Sequence, residues 1–528
     1  MTSTVRKSPL PMVLTSVDVL SVRIAGSVGM AAARSRCNLV FSIRGVYLRG
    51  QNLAFLYRLP PMSDFTSATE HIAAIHQGKQ DAQELTVEAL ARIDSIDRHG
   101  YELNSVIALD FNAVENSEEI KPALPLAGLP VLIKDNVEAV GLPASAGSLA
   151  LRDYPVKHDS TIARRLRKAG ANIIGATNLS EWANIRSPRS TSGWSALGGL
   201  TANPWKHPHS AGGSSSGSGA AIAAGLVSLA VGSETDGSIV CPASLNGCVG
   251  IKPTVGSIPR DGMVPISSSQ DSPGPMARTV TDTALLLEVM MSARGFVNAA
   301  HSDFSPTIGF VKSWTTTHDG TNSLLYDTVA KLSAAGLTIV EIDAPTPDDS
   351  VGLDEFHVLL HELHDDLGEY LSQRCGKSLS SLADVVDFNR AHSESELHHF
   401  GQEYFELALE LGGRGAEYLA KRTRNVDWAS AMLGRAFTGV DVLIGATYAP
   451  AWLSNLGGSD DHSGASWITT APSITGDPVG CLPMGITDGL PVGLGIVAPA
   501  YEEELLVASM ARIEKVLGLG ILQPSFLR

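Results

Sequence analysis

The chain has 528 residues, 44% hydrophobic and 18% charged, with 51 glycines and 28 prolines, which is too apolar and too varied for a disordered polymer. Its net charge of −16 is unevenly placed: residues 1–61 carry eight basic side chains against the single acid Asp18, a net of +7, and residues 62–528 carry −23. An acidic body repels phosphate backbones, which argues against a nucleic-acid partner. Five cysteines (Cys37, Cys241, Cys248, Cys375 and Cys481) are too few and too scattered for a disulfide framework, and none forms the CxxC pair of a zinc site. This usage fits a reducing compartment, hence a cytoplasmic expectation.

Residues 1–61 alternate short apolar stretches with isolated arginines and serines, without the apolar block and cleavage site of a secretory signal. Arg-rich, acid-poor composition matches a mitochondrial presequence. A disordered extension, or translation opening at Met62, is the simpler reading and is preferred. Apolar residues from Ser67 to about Arg98 fall at helical spacing and predict two helices. "PLAGLPVLIK", Pro125 to Lys134, predicts a buried strand with a bend before it; Thr161 to Ala169 predicts a helix, and "ANIIGATN" a strand running into a polar loop. Such alternation predicts an α/β fold. A loop of Ser, Gly, Pro and Asn over 187–219 leads into an apolar run, Gly219 to Gly232, expected to be a buried helix and too short to span a bilayer. Helical periodicity is expected between about 326 and 435, and strands with Gly and Pro turns from Val440 to Val497. No fixed repeat and no linker within 62–528 argue for one large domain after the extension.

Three features bear on chemistry. Lys134 closes an apolar strand, where a lysine either snorkels to solvent or is held desolvated as a usable base. "GGSSSGSG", Gly212 to Gly219, lacks the GK[ST] ending of a phosphate-binding loop. In "GSETDGSIVCPAS", 232–244, Ser238 follows a polar turn that can aim several backbone N–H groups at one point. Each alone is better explained as ordinary structure.

Together they resemble the amidase signature family of serine hydrolases. The resemblance runs from about Ser67 to the C-terminus and centres on "GGSSSGSGAAIAAGLVSLAVGSETDGSIVCPASLNGCVGIKPT", Gly212 to Thr254, with a lysine 80 residues before Ser214 in "IKDN" and 24 residues between Ser214 and Ser238. It implies a large mixed β-sheet flanked by helices in a single domain. It also implies that Ser238 is the nucleophile, that Ser214, whose peptide bond is cis in the family, relays its proton, and that neutral Lys134 is the final base. The backbone N–H groups of Thr235, Asp236, Gly237 and Ser238 match the family's oxyanion loop. The family needs no metal and no cofactor. Most members have Gly at the positions of Asp236 and Ser216; Asp tolerates left-handed angles well enough for the turn to survive. The TDGS variant, with "SEWANIRSPRSTSGWS" (180–195), "KPTVGSIPRDGMVPISSSQDSPGPMART" (252–279) and "HDDLGEYL" (364–371), resembles the peptide amidase branch, which hydrolyses primary carboxamides.

The expected partner is therefore a small-molecule or peptide amide. One rival is the A subunit of a glutamine-dependent tRNA amidotransferase, in which an Arg following the Ser-Ile pair meets the glutamine carboxylate; here that position is Val240. Another is an inactive amidase scaffold serving as a binding module, although all three catalytic side chains are present. His357, His361 and His364 share one helical face at a spacing that could bind zinc, a reading the resemblance disfavours. Trp182 and Trp194 either line the acyl pocket or pack in the core, and Asp460, Asp461 and His462 read as a solvated loop.

Overall fold

The computed structural model describes residues 65–527; the extension 1–61 and the start at Met62 fall outside the described residues. Two helices open them, α1 (Ala68–His76) and α2 (Ala82–Arg92), the first closed by a Ser67–Glu70 capping box. β1 (Val106–Leu109) and β2 (Pro130–Lys134) follow, the bend before β2 taken by Ala127 and Gly128 at positive φ. Then come α3 (Thr161–Lys168) and β3 (Asn172–Thr177).

The run expected to be one helix over 219–232 is instead a helix and a strand, α4 (Ser216–Ala223) and β4 (Leu229–Glu234). Apolar content alone could not separate the two states. Gly225 breaks the run, with φ +68 and the Phe65 ring 2.5 Å from where a Cβ would stand. α5 (Val240–Asn246), β5 (Val249–Lys252), β6 (Ser272–Ala277) and α6 (Val280–Met291) complete this half.

In the second half, β7 (Thr307–Val311) and α7 (Asp319–Ala334) precede a strand, β8 (Thr338–Ile342), inside the stretch expected to be helical. β8 is an edge strand with mostly half-buried or exposed side chains, so it lacks the apolar run that betrays a central strand. The helices α8 (Asp349–Cys375), α9 (Leu382–Ala391), α10 (Glu403–Leu411) and α11 (Ala416–Ala436) follow. β9 (Val442–Ala446), α12 (Thr470–Thr475), β10 (Val479–Thr487), β11 (Leu490–Val497) and α13 (Glu503–Leu517) end the fold.

Eleven strands form one mixed sheet in the order β1-β3-β2-β4-β6-β5-β10-β11-β9-β7-β8. β3, β2 and β4 run parallel, as do β9, β7 and β8, and the remaining neighbours are antiparallel. This is the large mixed α/β sheet flanked by helices that was expected. The strand period of two divides its side chains between two cores. Val131 and Ile133 of β2 face α3, α6 and α13, whereas Leu132 faces α4, α5, α11 and α12. Lys134 shares the parity of Leu132 and so turns to the α4–α5 side. A satellite core joins α8, α9 and α10 to Trp182, Val264 and Ile266. Among the described residues no helix is long and apolar enough to cross a membrane.

Candidate active site

The C-terminal end of β2 delivers Lys134 into a dry interior where its side chain is fully buried. Its Nζ lies 2.8 Å from Ser214 Oγ, 2.9 Å from Ser233 Oγ and 3.2 Å from the Ser233 carbonyl. Burial lowers its pKa to about 7, with the carboxylates of Asp271 and Glu234 pulling the other way. Near neutrality half the population is therefore an amine with a free lone pair, as a general base requires.

Ser214 arrives from the loop before α4, and its Gly213–Ser214 peptide bond is cis. Ser215 N–H donates to the Ser238 carbonyl at 3.1 Å, which joins this loop to the turn after β4. Ser238 is partly exposed, between buried Gly237 and Ile239, and its hydroxyl makes no hydrogen bond within the described residues. The contact from Lys134 to Ser214 is thus formed, and that from Ser214 to Ser238 is open. Such contacts commonly tighten only when substrate binds.

The backbone around Ser238 is divided sharply. Ile239 and Val240 N–H groups donate to Glu234 Oε2 at 2.7 and 2.9 Å, and Cys241 N–H to the Gly237 carbonyl at 2.7 Å. The four preceding N–H groups, of Thr235, Asp236, Gly237 and Ser238, donate to nothing among the described residues. Backbone N–H groups inside a fold are nearly always paired, so four consecutive unspent donors, two of them on the buried Thr235 and Gly237, beside a hydroxyl form a site able to hold an anionic oxygen. Thr235 is fixed from behind, its Oγ1 donating to Asp271 Oδ1 at 2.6 Å, while Asp271 Oδ2 accepts from Ile266 and Ser267 N–H. Burial raises the Asp271 pKa to about 6. The left-handed residue of this turn is Gly237, at φ +77, and Asp236 keeps a negative φ. The left-handed angle that Asp236 was expected to tolerate is therefore not required of it. Ser216 is an ordinary residue of the first turn of α4.

Three contributors went unrecognised in the sequence. Ser233 supplies two of the three acceptors around Lys134 Nζ. Asn136 Nδ2 donates to Ser233 Oγ at 3.0 Å. Glu234 ties down the residues after Ser238. A signal existed for Asn136, which stands two residues after Lys134 in "IKDN", in the turn that closes β2. Ser233 required the strand pairing, since Ile133 stands beside Val231 in the β2–β4 register.

Other candidates resolve differently. Trp194 is buried against His399 and Phe400, and Trp182 packs edge-on to Phe405 while lining a small enclosed cavity with Asn136, Ile185 and Leu363. The solvated loop expected over 460–462 is corrected in part. The Asp460 carboxylate is buried and accepts from Ser192 N–H and Oγ and from Trp452 Nε1, pinning the 184–195 loop, while His462 is exposed. His361 Nδ1 bonds the Gly412 carbonyl and His364 the Asp365 carboxylate. No group of three metal-ligating side chains occurs among the described residues.

Residues 84–507 match the profile of the family described as Amidase. The chain is 31% identical over 487 residues to the A subunit of the glutamyl-tRNA(Gln) amidotransferase of Deinococcus radiodurans, covering 86% of this chain and 98% of that one. Among solved structures it is similar to a peptide amidase complexed with the competitive inhibitor chymostatin, with a TM-score of 0.81 and 36% identity over 88% of this chain and all of that one. The native peptide amidase of Stenotrophomonas maltophilia gives 0.80 and 35% over 88% and 99% of the two chains. With a family match spanning most of its length, and a lysine and two serines gathered beside four unspent N–H groups, the chain belongs to the amidase family and is an amidase, a hydrolase of amide carbon–nitrogen bonds.

Proposed function

We propose that the chain hydrolyses a linear primary carboxamide, of the peptide amide class, to a carboxylic acid and ammonia through a Ser238 acyl-enzyme. The observation that carries this reading is the approach of a desolvated, near-neutral Lys134 to Ser214 at 2.8 Å, across from an unpartnered Ser238 hydroxyl. Ser238 Oγ attacks the amide carbon, its proton passes to Ser214 Oγ, and the Ser214 proton passes to Lys134 Nζ. The carbonyl oxygen gains charge facing the N–H groups of residues 235–238, where a single donor is worth about 3 kcal/mol of barrier. As the carbon–nitrogen bond breaks, the relay runs backwards, the nitrogen takes a proton from Ser214 and leaves as ammonia, and Lys134 returns to the neutral amine. Water then attacks the ester by the same route. In the resting state the Ser233 carbonyl can only accept, so it takes one Lys134 N–H and helps leave the lone pair for the Ser214 hydroxyl. The test is a panel of aliphatic, aryl and peptide primary amides scored for ammonia, with mass mapping of a fluorophosphonate adduct. Adduct on Ser238 and ammonia from at least one class are expected; adduct elsewhere, or none, refutes the reading.

A second reading is favoured by the curated relatives named as amidotransferase A subunits. It would make the chain the glutamine-dependent member of a complex with partner proteins. Against it, the position two after Ser238 is the buried apolar Val240, which cannot meet a free carboxylate. Co-purification of a stoichiometric partner, with glutamine the only amide turned over, would select it.

A further inference from the structure

We infer that one water molecule, held in the small cavity beside Trp182 between its Nε1–H and the Asn136 side-chain carbonyl, fixes the Asn136 amide and makes Trp182 a positioning residue for Lys134. The inference rests on the relay described above and adds to it a site and a residue that the relay itself does not use.

Three observations carry it. First, the cavity has the size and the chemistry of a water site. Its volume is about 10 Å³, room for a single water. Ala146, Ile185, Val264 and Leu363 give it apolar walls, and none of the described residues that line it is ionisable. Trp182 and Asn136 line it too, each only 3% exposed. Trp182 Nε1 and Asn136 Oδ1 have no hydrogen-bond partner among the described residues. The first atom can only donate and the second only accept. A water accepts from the one and donates to the other, whereas an apolar occupant would leave two buried polar groups unpaired.

Second, the cavity is built into the fold. Main-chain bonds lace its walls: Ala146 N–H donates to the Asp135 carbonyl at 2.9 Å, Trp182 N–H to the Ala146 carbonyl at 3.0 Å, and Val264 N–H to the Asn136 carbonyl at 2.8 Å. Trp182, Ala183 and Asn184 all have left-handed backbone, at φ 49, 54 and 76. Three such residues in a row, none of them glycine, form a strained turn of the kind that persists where placement of a side chain matters. The same segment reaches the catalytic loop, since Ser180 N–H donates to the Ser214 carbonyl at 3.1 Å.

Third, the water decides a choice that bears on the base. An Asn amide fits its space either way round. As it stands, Asn136 Nδ2 donates to Ser233 Oγ at 3.0 Å, and Ser233 Oγ lies 2.9 Å from Lys134 Nζ. Turned over, the amide would offer Oδ1 to the Ser233 hydroxyl proton. A hydroxyl that gives its own proton away, and receives none from the amide, accepts more strongly from the Lys134 ammonium. The amine that starts the relay would then be scarcer. A water already bonded to Trp182 Nε1 has hydrogens to place in an apolar cavity, which Oδ1 can accept and Nδ2 cannot.

The test has two independent parts. A high-resolution crystal structure of the unmodified enzyme should show one water bonded to both Trp182 Nε1 and Asn136 Oδ1; a cavity without it overturns the site. The second part deletes the donor, as Trp182→Phe and, should the smaller ring impair folding, as the N–H-free isostere β-(3-benzothienyl)alanine at position 182. Fluorophosphonate labelling of Ser238 is then followed against pH. The midpoint should move to higher pH by about half a unit. In a Ser233→Ala background the same change should leave the midpoint in place, because the coupling runs through that hydroxyl. Asp271 and Glu234, the carboxylates that act on Lys134, are untouched throughout, so a shift does not report a change of charge. An unmoved midpoint, including one accompanied by an altered substrate KM, overturns the positioning role, as does a shift that persists without the Ser233 hydroxyl. An unmodified enzyme whose labelling shows no such midpoint overturns the relay and with it the role of Trp182, while the crystal structure still decides the water site by itself.

Discussion

Replacing Ser233 by alanine tests the base directly, because it changes the basicity of Lys134 without touching the lysine. The ammonium form of Lys134 donates to three acceptors, Ser214 Oγ, Ser233 Oγ and the Ser233 carbonyl, at 2.8, 2.9 and 3.2 Å. The neutral amine has only two N–H groups to place. Hydrogen bonds to a charged group are worth about 1.5–3 kcal/mol against about 1 for neutral pairs, so deleting the Ser233 hydroxyl penalises the ammonium by about 1.4 kcal/mol more than the amine. That difference corresponds to a tenfold change in the proton equilibrium, and it moves the Lys134 pKa from about 7 to about 6. In the proposed relay the amine is the active form, so acylation should rise with pH and level off above the pKa, with the variant profile displaced toward acid. The assay is the second-order rate of fluorophosphonate labelling of Ser238 between about pH 5 and 9, which needs no knowledge of the substrate. At pH 6 the rate, as a fraction of its own plateau, should rise from roughly one tenth to roughly one half. The plateau itself should fall, because Nζ is held less firmly and Asn136 Nδ2 loses its acceptor. A midpoint that stays in place or moves to higher pH refutes the assignment of Lys134 as the base.

Lys134→Ala should slow acylation by about 10³-fold or more while substrate still binds; single-turnover kinetics against equilibrium binding separate the two, and a retained acylation rate would sink the relay. Gly237→Ala places a Cβ 2.6 Å from Tyr448 Oη at a φ of +77, so kcat should fall about 10²-fold in a protein with an unchanged circular dichroism spectrum. Adding Tyr448→Phe should restore part of that loss, and no recovery would locate the damage in the turn alone. Arg186→Ala leaves the fully buried Glu181 without the guanidinium 2.8 Å away, a loss of about 3–5 kcal/mol. Denaturant unfolding should show it, with most of it regained in Arg186→Met/Glu181→Gln; a variant as stable as the parent would contradict the pairing.

What the chain disclosed in advance follows from how local each signal is. β2 was legible because a parallel strand buried on both faces must be a short unbroken apolar run, and "PVLIK" is one. Ser214, Ser238 and Lys134 could be named as candidates because their motifs are contiguous. The 219–232 segment was not, since Ala, Gly, Ile, Leu and Val fill a buried helix and a buried strand equally well; the break at Gly225 is set by Phe65, 160 residues away. β8 was hidden for the opposite reason, as an edge strand with too little apolar burial to stand out. Asp460 read as solvated because its main partner, Ser192, comes from a loop 268 residues away that only tertiary structure brings near. Ser233 and Asp271 were invisible in the same way, each acting through a residue distant in sequence.

That pattern also explains where part of the acid excess goes. Glu234, Asp236, Asp271 and Glu355 are gathered around the end of the sheet with two buried lysines, Lys134 and Lys252. Burial alone would carry Lys134 lower still, to a weaker acceptor for a proton from the serine relay. The charges of Asp271 and Glu234 work against burial at Lys134 and hold it at about 7, a value at which the proposed relay would find it neutral often enough to start and basic enough to proceed. Asp271 serves twice, since the carboxylate that supports the lysine also anchors Thr235 at the head of the four N–H groups. A substitution that neutralises Asp271 would therefore weaken the base and loosen the oxyanion turn together, which couples proton acceptance to charge stabilisation through one buried side chain.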